Sequence, residues 1–122
     1  MPLPSQVIFY VSDPVKSAAF YEKLLNIPGK ILSPNFAVFE LRKGFQLGLL
    51  SRAKVKPEAP VGVSGELCFI EDGKESLERL HKAWLAKGVT IVLEPQLMYF
   101  GGYNFMGVDP DGNRLRVSTP DN

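Results

Sequence analysis

Gly107-Val108-Asp109-Pro110-Asp111-Gly112-Asn113-Arg114-Leu115-Arg116-Val117-Ser118 is the stretch from which the fold is read. Pro110 sets φ at the corner of a tight turn, Asp109 and Asp111 offer carboxylates to nearby backbone N–H groups, and Gly112 accepts a positive φ. Beyond the turn, Leu115 and Val117 alternate with Arg114, Arg116 and Ser118. That period of two predicts a half-buried strand. One of its faces is apolar and the other carries two guanidiniums.

Working outward, residues 103–108 form the strand that feeds this turn. Before it come an aromatic and glycine-rich loop over 98–102, a short strand over 90–93, and a helix over 74–87 closed by Gly88. Leu77, Leu80, Trp84 and Leu85 form the apolar side of that helix. Asp72-Gly73 separates it from a strand over 65–70. The first half of the chain follows the same plan. Gln6–Val11 is a strand, Asp13 reads as an N-cap, and Pro14 occupies the first position of a helix reaching Leu25. Pro28-Gly29 is expected to end it. Strands over Lys30–Ser33, Phe36–Arg42 and Phe45–Ser51 follow, the last two joined at Lys43-Gly44. Residues 52–64, with two prolines, a glycine and no clean period, read as a linker. The order is therefore βαβββ, linker, βαβββ. Residues 6–51 and 65–118 are two copies of one plan within a single α+β domain spanning 1–122, with Gly44 aligned on Gly112.

Bulk properties narrow the function classes. The chain has 122 residues, 45% hydrophobic and 22% charged. That composition is ordinary for a soluble globular domain. A net charge of +1 without a basic run argues against a nucleic-acid partner, whose affinity rests on clustered Lys and Arg at phosphates. No apolar run approaches the roughly 20 residues needed to span a bilayer. Met1-Pro2-Leu3-Pro4-Ser5 lacks the charged and apolar regions of a signal peptide. The single Cys68 rules out an internal disulfide, so a cytoplasmic location is the expectation. His81 is the only histidine, which leaves few residues for a zinc or iron centre.

With both halves laid out, a family resemblance is visible. Val11-Ser12-Asp13, Ser17, Phe20-Tyr21 and Leu24-Leu25 resemble the V-x-D…S…F-Y…L-G opening of the vicinal oxygen chelate superfamily. Asp109-Pro110-Asp111-Gly112-Asn113 resembles its closing D-P-D-G-N. That superfamily contains glyoxalase I, extradiol dioxygenases, fosfomycin-resistance enzymes and bleomycin-resistance proteins. The resemblance covers residues 6 to 118. It implies paired βαβββ modules whose curved sheets enclose a cleft, in a homodimer with swapped modules. It also implies four metal-ligand slots, on the first and last strand of each module. By position these fall on Gln6, Gly48, Glu66 and Arg116.

Physical chemistry speaks against a metal there. Gly48 has no side chain, and Arg116 is a permanent cation with donors only. Glu66 is an ordinary ligand and Gln6 a weak neutral one, a poor set for divalent Ni, Zn, Fe or Mn. No metal, no cofactor and no catalytic residue are expected. Glu66 and Arg116 are expected to pair, since a buried charge without its partner is costly. That pair is read either as ligand-binding or as a brace between strands.

Alternation assigns Gln6, Ile8 and Tyr10 to one side of the first strand, Glu66, Cys68 and Ile70 to the equivalent side of the fifth, and Arg114, Arg116 and Ser118 to that of the last. Phe36, Val38, Tyr103 and Phe105 are added to the same faces, with Tyr99 and Phe100 on a loop that closes one end. The candidate ligand-binding residues are thus Gln6, Ile8, Phe36, Gly48, Glu66, Cys68, Tyr99, Tyr103, Phe105 and Arg116. The aromatics at 99, 100, 103 and 105 serve either a ligand or a dimer contact. Such a lining suits a planar, largely apolar small molecule. Within the superfamily the pattern resembles the metal-free phenazine- and bleomycin-resistance proteins, the former in having Glu and Arg at the positions of Glu66 and Arg116. The function expected is sequestration of a small aromatic compound, such as an antibiotic, without membrane or nucleic-acid partners. The alternatives are a metal-dependent glyoxalase, lyase or dioxygenase, and an interaction domain with a filled cleft. His81 and Trp84 read as structural, and Cys68 as a small buried residue with no base nearby.

Overall fold

The computed structural model describes residues 3–62, 65–98 and 102–120. They fold as two compact units, Met1–Ser64 and Gly65–Asn122. Unit 1 runs β1 (Gln6–Val11), α1 (Pro14–Leu25), β2 (Lys30–Ser33), β3 (Phe36–Arg42) and β4 (Phe45–Ser51), then a single 3-10 turn at Arg52–Lys54. Unit 2 runs β5 (Glu66–Ile70), α2 (Lys74–Ala86), β6 (Thr90–Leu97), β7 (Tyr103–Val108) and β8 (Arg114–Ser118). This is the α+β pair of βαβββ modules that the sequence predicts. No helix among the described residues is long and apolar enough to cross a membrane.

Each unit holds one four-stranded sheet. The strand orders are β1-β4-β3-β2 and β5-β8-β7-β6. In both, the first strand lies parallel to the last, and the other pairs are antiparallel. The parallel pairing requires a crossover, which the helix supplies. The registers correspond residue for residue. Ile8 faces Gly48 as Cys68 faces Arg116, and Val38 faces Gly48 as Met106 faces Arg116. Gly44 and Gly112 both turn at positive φ, +81° and +85°.

Local chemistry accounts for the helices. The Asp13 carboxylate accepts from the N–H groups of Val15 and Lys16 at 3.1 and 3.4 Å, and Pro14 starts α1 with φ already set. The stop differs from the expectation. Asn26, not Pro28-Gly29, ends the helix in the left-handed region, and its N–H donates to the Glu22 carbonyl at 2.9 Å; Asn tolerates that conformation through its short polar side chain. At the start of α2 the Ser76 hydroxyl accepts from the Gly73 N–H and donates to the Gly73 carbonyl.

Each helix covers one face of its own sheet. In unit 1, Tyr21 packs on Phe39, and Phe9, Val11, Ala37, Leu47 and Leu49 are buried. In unit 2, Trp84 meets Phe69 and Phe105 edge to face at 5.4 and 5.1 Å. Trp84 is core packing, as read from the sequence. Leu85 is not: it is half exposed, one position off the buried stripe of Leu77 and Trp84. The strand expected over 90–93 continues through Pro95 to Leu97. It lies on the edge of its sheet, where a proline costs no ladder bond, and its register shifts there.

Candidate functional site

The residues of interest lie on the sheet faces turned away from the helices. In unit 2 this face is built by β5, β8 and β7. The turn before β8 is locked from inside. Asp109 Oδ1 accepts from the N–H groups of Asp111 and Asn113 at 2.9 and 2.8 Å, and Oδ2 accepts from Asn113 Nδ2 at 3.0 Å. Asp109 and Asn113 are buried. The turn fixes the pairing Val108↔Arg114, and every pair beyond it follows.

That register brings Arg116 between two partners. Its Nε and Nη2 donate to Glu66 Oε1 and Oε2 at 2.9 and 3.2 Å, and its Nη1 donates to Asn104 Oδ1 at 2.8 Å. The expected pair is present, in side-on bidentate form. The Arg116 hydrogen bonds hold the Glu66 carboxyl below its usual range, against the opposing pull of partial burial. Arg116 is raised in turn, first through the same bonds. The Cys68 thiol stands 3.9 Å from Glu66 Oε1. Partial burial, and then the Glu66 charge, push it above its ordinary value. Cys68 is nonetheless exposed, because it lies on the outward face of an edge strand and not in the core as its type led us to expect.

Tyr103 and Phe105 are corrected by the structure. Phe105 pairs with the buried Val117, and its ring packs on Trp84 and His81, the latter at 5.2 Å. Lys74 of α2 sits 5.0 Å from the Tyr103 ring. Both aromatics therefore belong to the helix side. The residue overlooked is Asn104, 1% exposed. Counting back in pairs from the Asp109–Gly112 turn would have placed it beside Arg116 and Ser118. Tyr99 and Phe100 lie outside the described residues.

In unit 1 the equivalent face gathers Gln6, Ile8 and Phe36 around Gly48. A Cβ at Gly48 would meet the Phe36 ring at 3.1 Å, and Gln6 Nε2 and Ile8 Cγ1 at 3.2 Å. Ile8 is 41% exposed. Tyr10 lies on the same face, with the Arg52 guanidinium 5.8 Å from its ring. A polar depression of about 300 Å³ adjoins this group, lined by Ser5, Gln6, Glu40, Gly44 and Gln46. A second, about 600 Å³, lies among Ser12, Arg52, Ala53, Glu58, Ala59, Val61 and Gly62, and neither Gln6 nor Gly48 lines it.

His81 is structural in setting. Its side chain is 14% exposed, and its Nε2 lies 3.0 Å from Glu94 Oε2 without hydrogen-bond alignment.

The four slots do not fit a divalent metal. Both oxygens of Glu66 accept hydrogen bonds from Arg116, so a cation at that carboxylate would stand beside a guanidinium. The Arg116 position presents positive charge, and Gly48 presents no donor. Among the described residues no three His, Cys, Asp or Glu side chains cluster as a ligand set. The outward face of unit 2 offers charged hydrogen bonding, and that of unit 1 offers apolar contact.

Residues 4–117 match the glyoxalase/bleomycin resistance protein/dioxygenase superfamily. The chain belongs to this superfamily, the vicinal oxygen chelate group that the two motifs resemble. An Agrobacterium tumefaciens protein solved by NMR in solution is 39% identical, covers all of both chains, and superposes with a TM-score of 0.87. A glyoxalase/bleomycin resistance protein/dioxygenase from Nocardioides is 17% identical over 98% of this chain and 83% of its own, with a TM-score of 0.83. A lactoylglutathione lyase from Agrobacterium tumefaciens is 18% identical over 98% and 94%, with a TM-score of 0.77. At that identity these last two share the superfamily fold and nothing finer. No curated protein matches the chain.

Proposed function

We propose that this superfamily member is a binding protein that takes up a planar, largely apolar small molecule without a metal and holds it out of solution, as a drug-sequestering protein does. Arg116 carries the reading. A guanidinium bound to Glu66 and Asn104 occupies a slot that resemblance assigns to a metal ligand, and it would repel a divalent ion at close range. Gly48 removes a second slot. Taken by itself, the outward face of unit 1 carries Phe36, Ile8 and Tyr10, ring and aliphatic surface of the kind that stacking on a planar molecule needs. The working form proposed is a homodimer.

The test is calorimetric titration of the protein, stripped of metal, with planar aromatics of the phenazine class and with bleomycin, beside elemental analysis of the protein as purified. Micromolar binding by the stripped protein is the expected result. Stoichiometric Ni, Zn, Fe or Mn in the purified protein, with no aromatic bound once it is stripped, would overturn the proposal.

A further inference from the structure

We infer that the molecule bound is an aromatic acid and that Arg116 reads its carboxylate; this rests on the binding function proposed above and narrows its ligand class. The repeat supports it. Around the two equivalent slots, Gln6 in unit 1 stands where Glu66 stands in unit 2, Ile8 where Cys68 stands, Phe36 where Asn104 stands, and Gly48 where Arg116 stands. The sheet and register are the same in both. The fold itself therefore does not require a charged group at this position, since unit 1 is built with a glycine there.

Arg116 is also held more firmly than a simple brace needs. Glu66 takes Nε and Nη2, and the buried Asn104 takes Nη1. A guanidinium has five N–H donors. Among the described residues, one N–H on each terminal nitrogen of Arg116 is left over, and a carboxylate can accept two such bonds. The side chain is 24% exposed, so a ligand can reach it. Its orientation is set before binding, which reduces the ordering cost of recognition.

Charge on this face points the same way. Arg114 lies two residues from Arg116 on the same side of β8, and Glu66 is the opposing anion. The Cys68 thiol, raised by burial and by Glu66, adds no negative charge near neutral pH. Of the charged side chains on β5 and β8, the two arginines outnumber the one carboxylate by one positive charge. A neutral ligand leaves it so, a cationic one is repelled, and an anionic one cancels it.

The experiment is calorimetry on the full chain with two probes of one shape, 2-naphthoate and its neutral isostere 2-naphthamide. The acid should bind about tenfold more tightly, the worth of a charge-assisted bidentate contact partly open to water. In Arg116→Met the ratio of the two dissociation constants should fall to about one. The double variant E66Q/R116M, which leaves no lone carboxylate on the face, should behave the same way and serves if the single variant folds poorly. An Arg116 that only braced the sheet would weaken both probes alike and leave their ratio standing, and that result overturns the inference. Equal binding of acid and amide by the unaltered protein overturns it too, while leaving the binding function intact. If neither probe binds, both readings fall together.

Discussion

Replacing Arg116 by methionine keeps an aliphatic stem of similar length and removes the guanidinium. Three hydrogen bonds are lost together, but their costs differ. The side chains of Glu66 and Arg116 are 35% and 24% exposed. Water can replace the guanidinium at that carboxylate, and a pair so exposed contributes about 0.5–1 kcal/mol. Asn104 is 1% exposed, and its Oδ1 accepts from Arg116 at 2.8 Å. Stranding a buried acceptor costs about 1–3 kcal/mol. R116M should therefore lose about 2–3 kcal/mol, most of it through Asn104 and not through the ion pair. Double-mutant cycles by urea unfolding separate the two. The coupling between R116M and N104A should exceed that between R116M and E66Q, and added salt should shrink only the latter. A larger Glu66 coupling, or an Asn104 coupling below about 0.3 kcal/mol, would refute the assignment.

Glu66 lies below its ordinary value near 4.5, chiefly through the Arg116 hydrogen bonds. Because its folded-state value is depressed, its contribution is full above the unfolded value and is lost as pH falls through the folded one. The gap in urea midpoint between the protein and E66Q should thus be open at neutral pH and close as pH drops below 4.5. Cys68 is raised from its ordinary 9.0, first by burial and then by Glu66. Its alkylation by iodoacetamide at about pH 8 should run slower than that of free cysteine and should quicken in E66Q. Asp109→Ala removes the acceptor of three hydrogen bonds inside a buried turn and should cost about 2–4 kcal/mol in unfolding experiments. Asp13→Ala, at an exposed helix start, should cost about 1 kcal/mol.

The modules were legible because their punctuation is local. Asp13-Pro14 starts a helix by satisfying N–H groups within three residues of itself, and Gly44 and Gly112 mark turns by the φ they permit. Glu66 and Arg116 could be paired because the resemblance assigns both positions to slots of one cleft and their charges are opposite; the period of two adds only which face of its own strand each takes. The same count was not carried onto β7. Tyr103 and Phe105 were assigned to the outward face for their chemical type, although Asn104 holds the register of Ser118. Composition favoured the aromatics, and pairing decided against them. The reach of β6 past Pro95 to Leu97 is hidden from the sequence for another reason. A proline ends a strand only where its N–H is needed, and whether β6 lies at a sheet edge is a property of topology that no local window contains.

Gly48 and Arg116 stand at equivalent positions of a repeated fold and are set among different neighbours. A glycine within a strand gives up packing and invites a close approach. Here the approach has been made: Phe36, Gln6 and Ile8 have closed to within 3.1–3.2 Å of where its Cβ would stand. The slot in unit 1 is therefore closely lined by its neighbours, and a side chain there would require the Phe36 ring to give by a few tenths of an ångström. In unit 2 the equivalent neighbours are Asn104, Glu66 and Cys68, and they close on a guanidinium instead. Each set is consistent only with its own slot. Asn104 would be an unpaired buried amide beside a glycine, and Phe36 would offer Arg116 no acceptor. The difference between the two faces is a matched set of four positions, so a single substitution at Gly48 or Arg116 leaves the other three arranged for the residue that was removed.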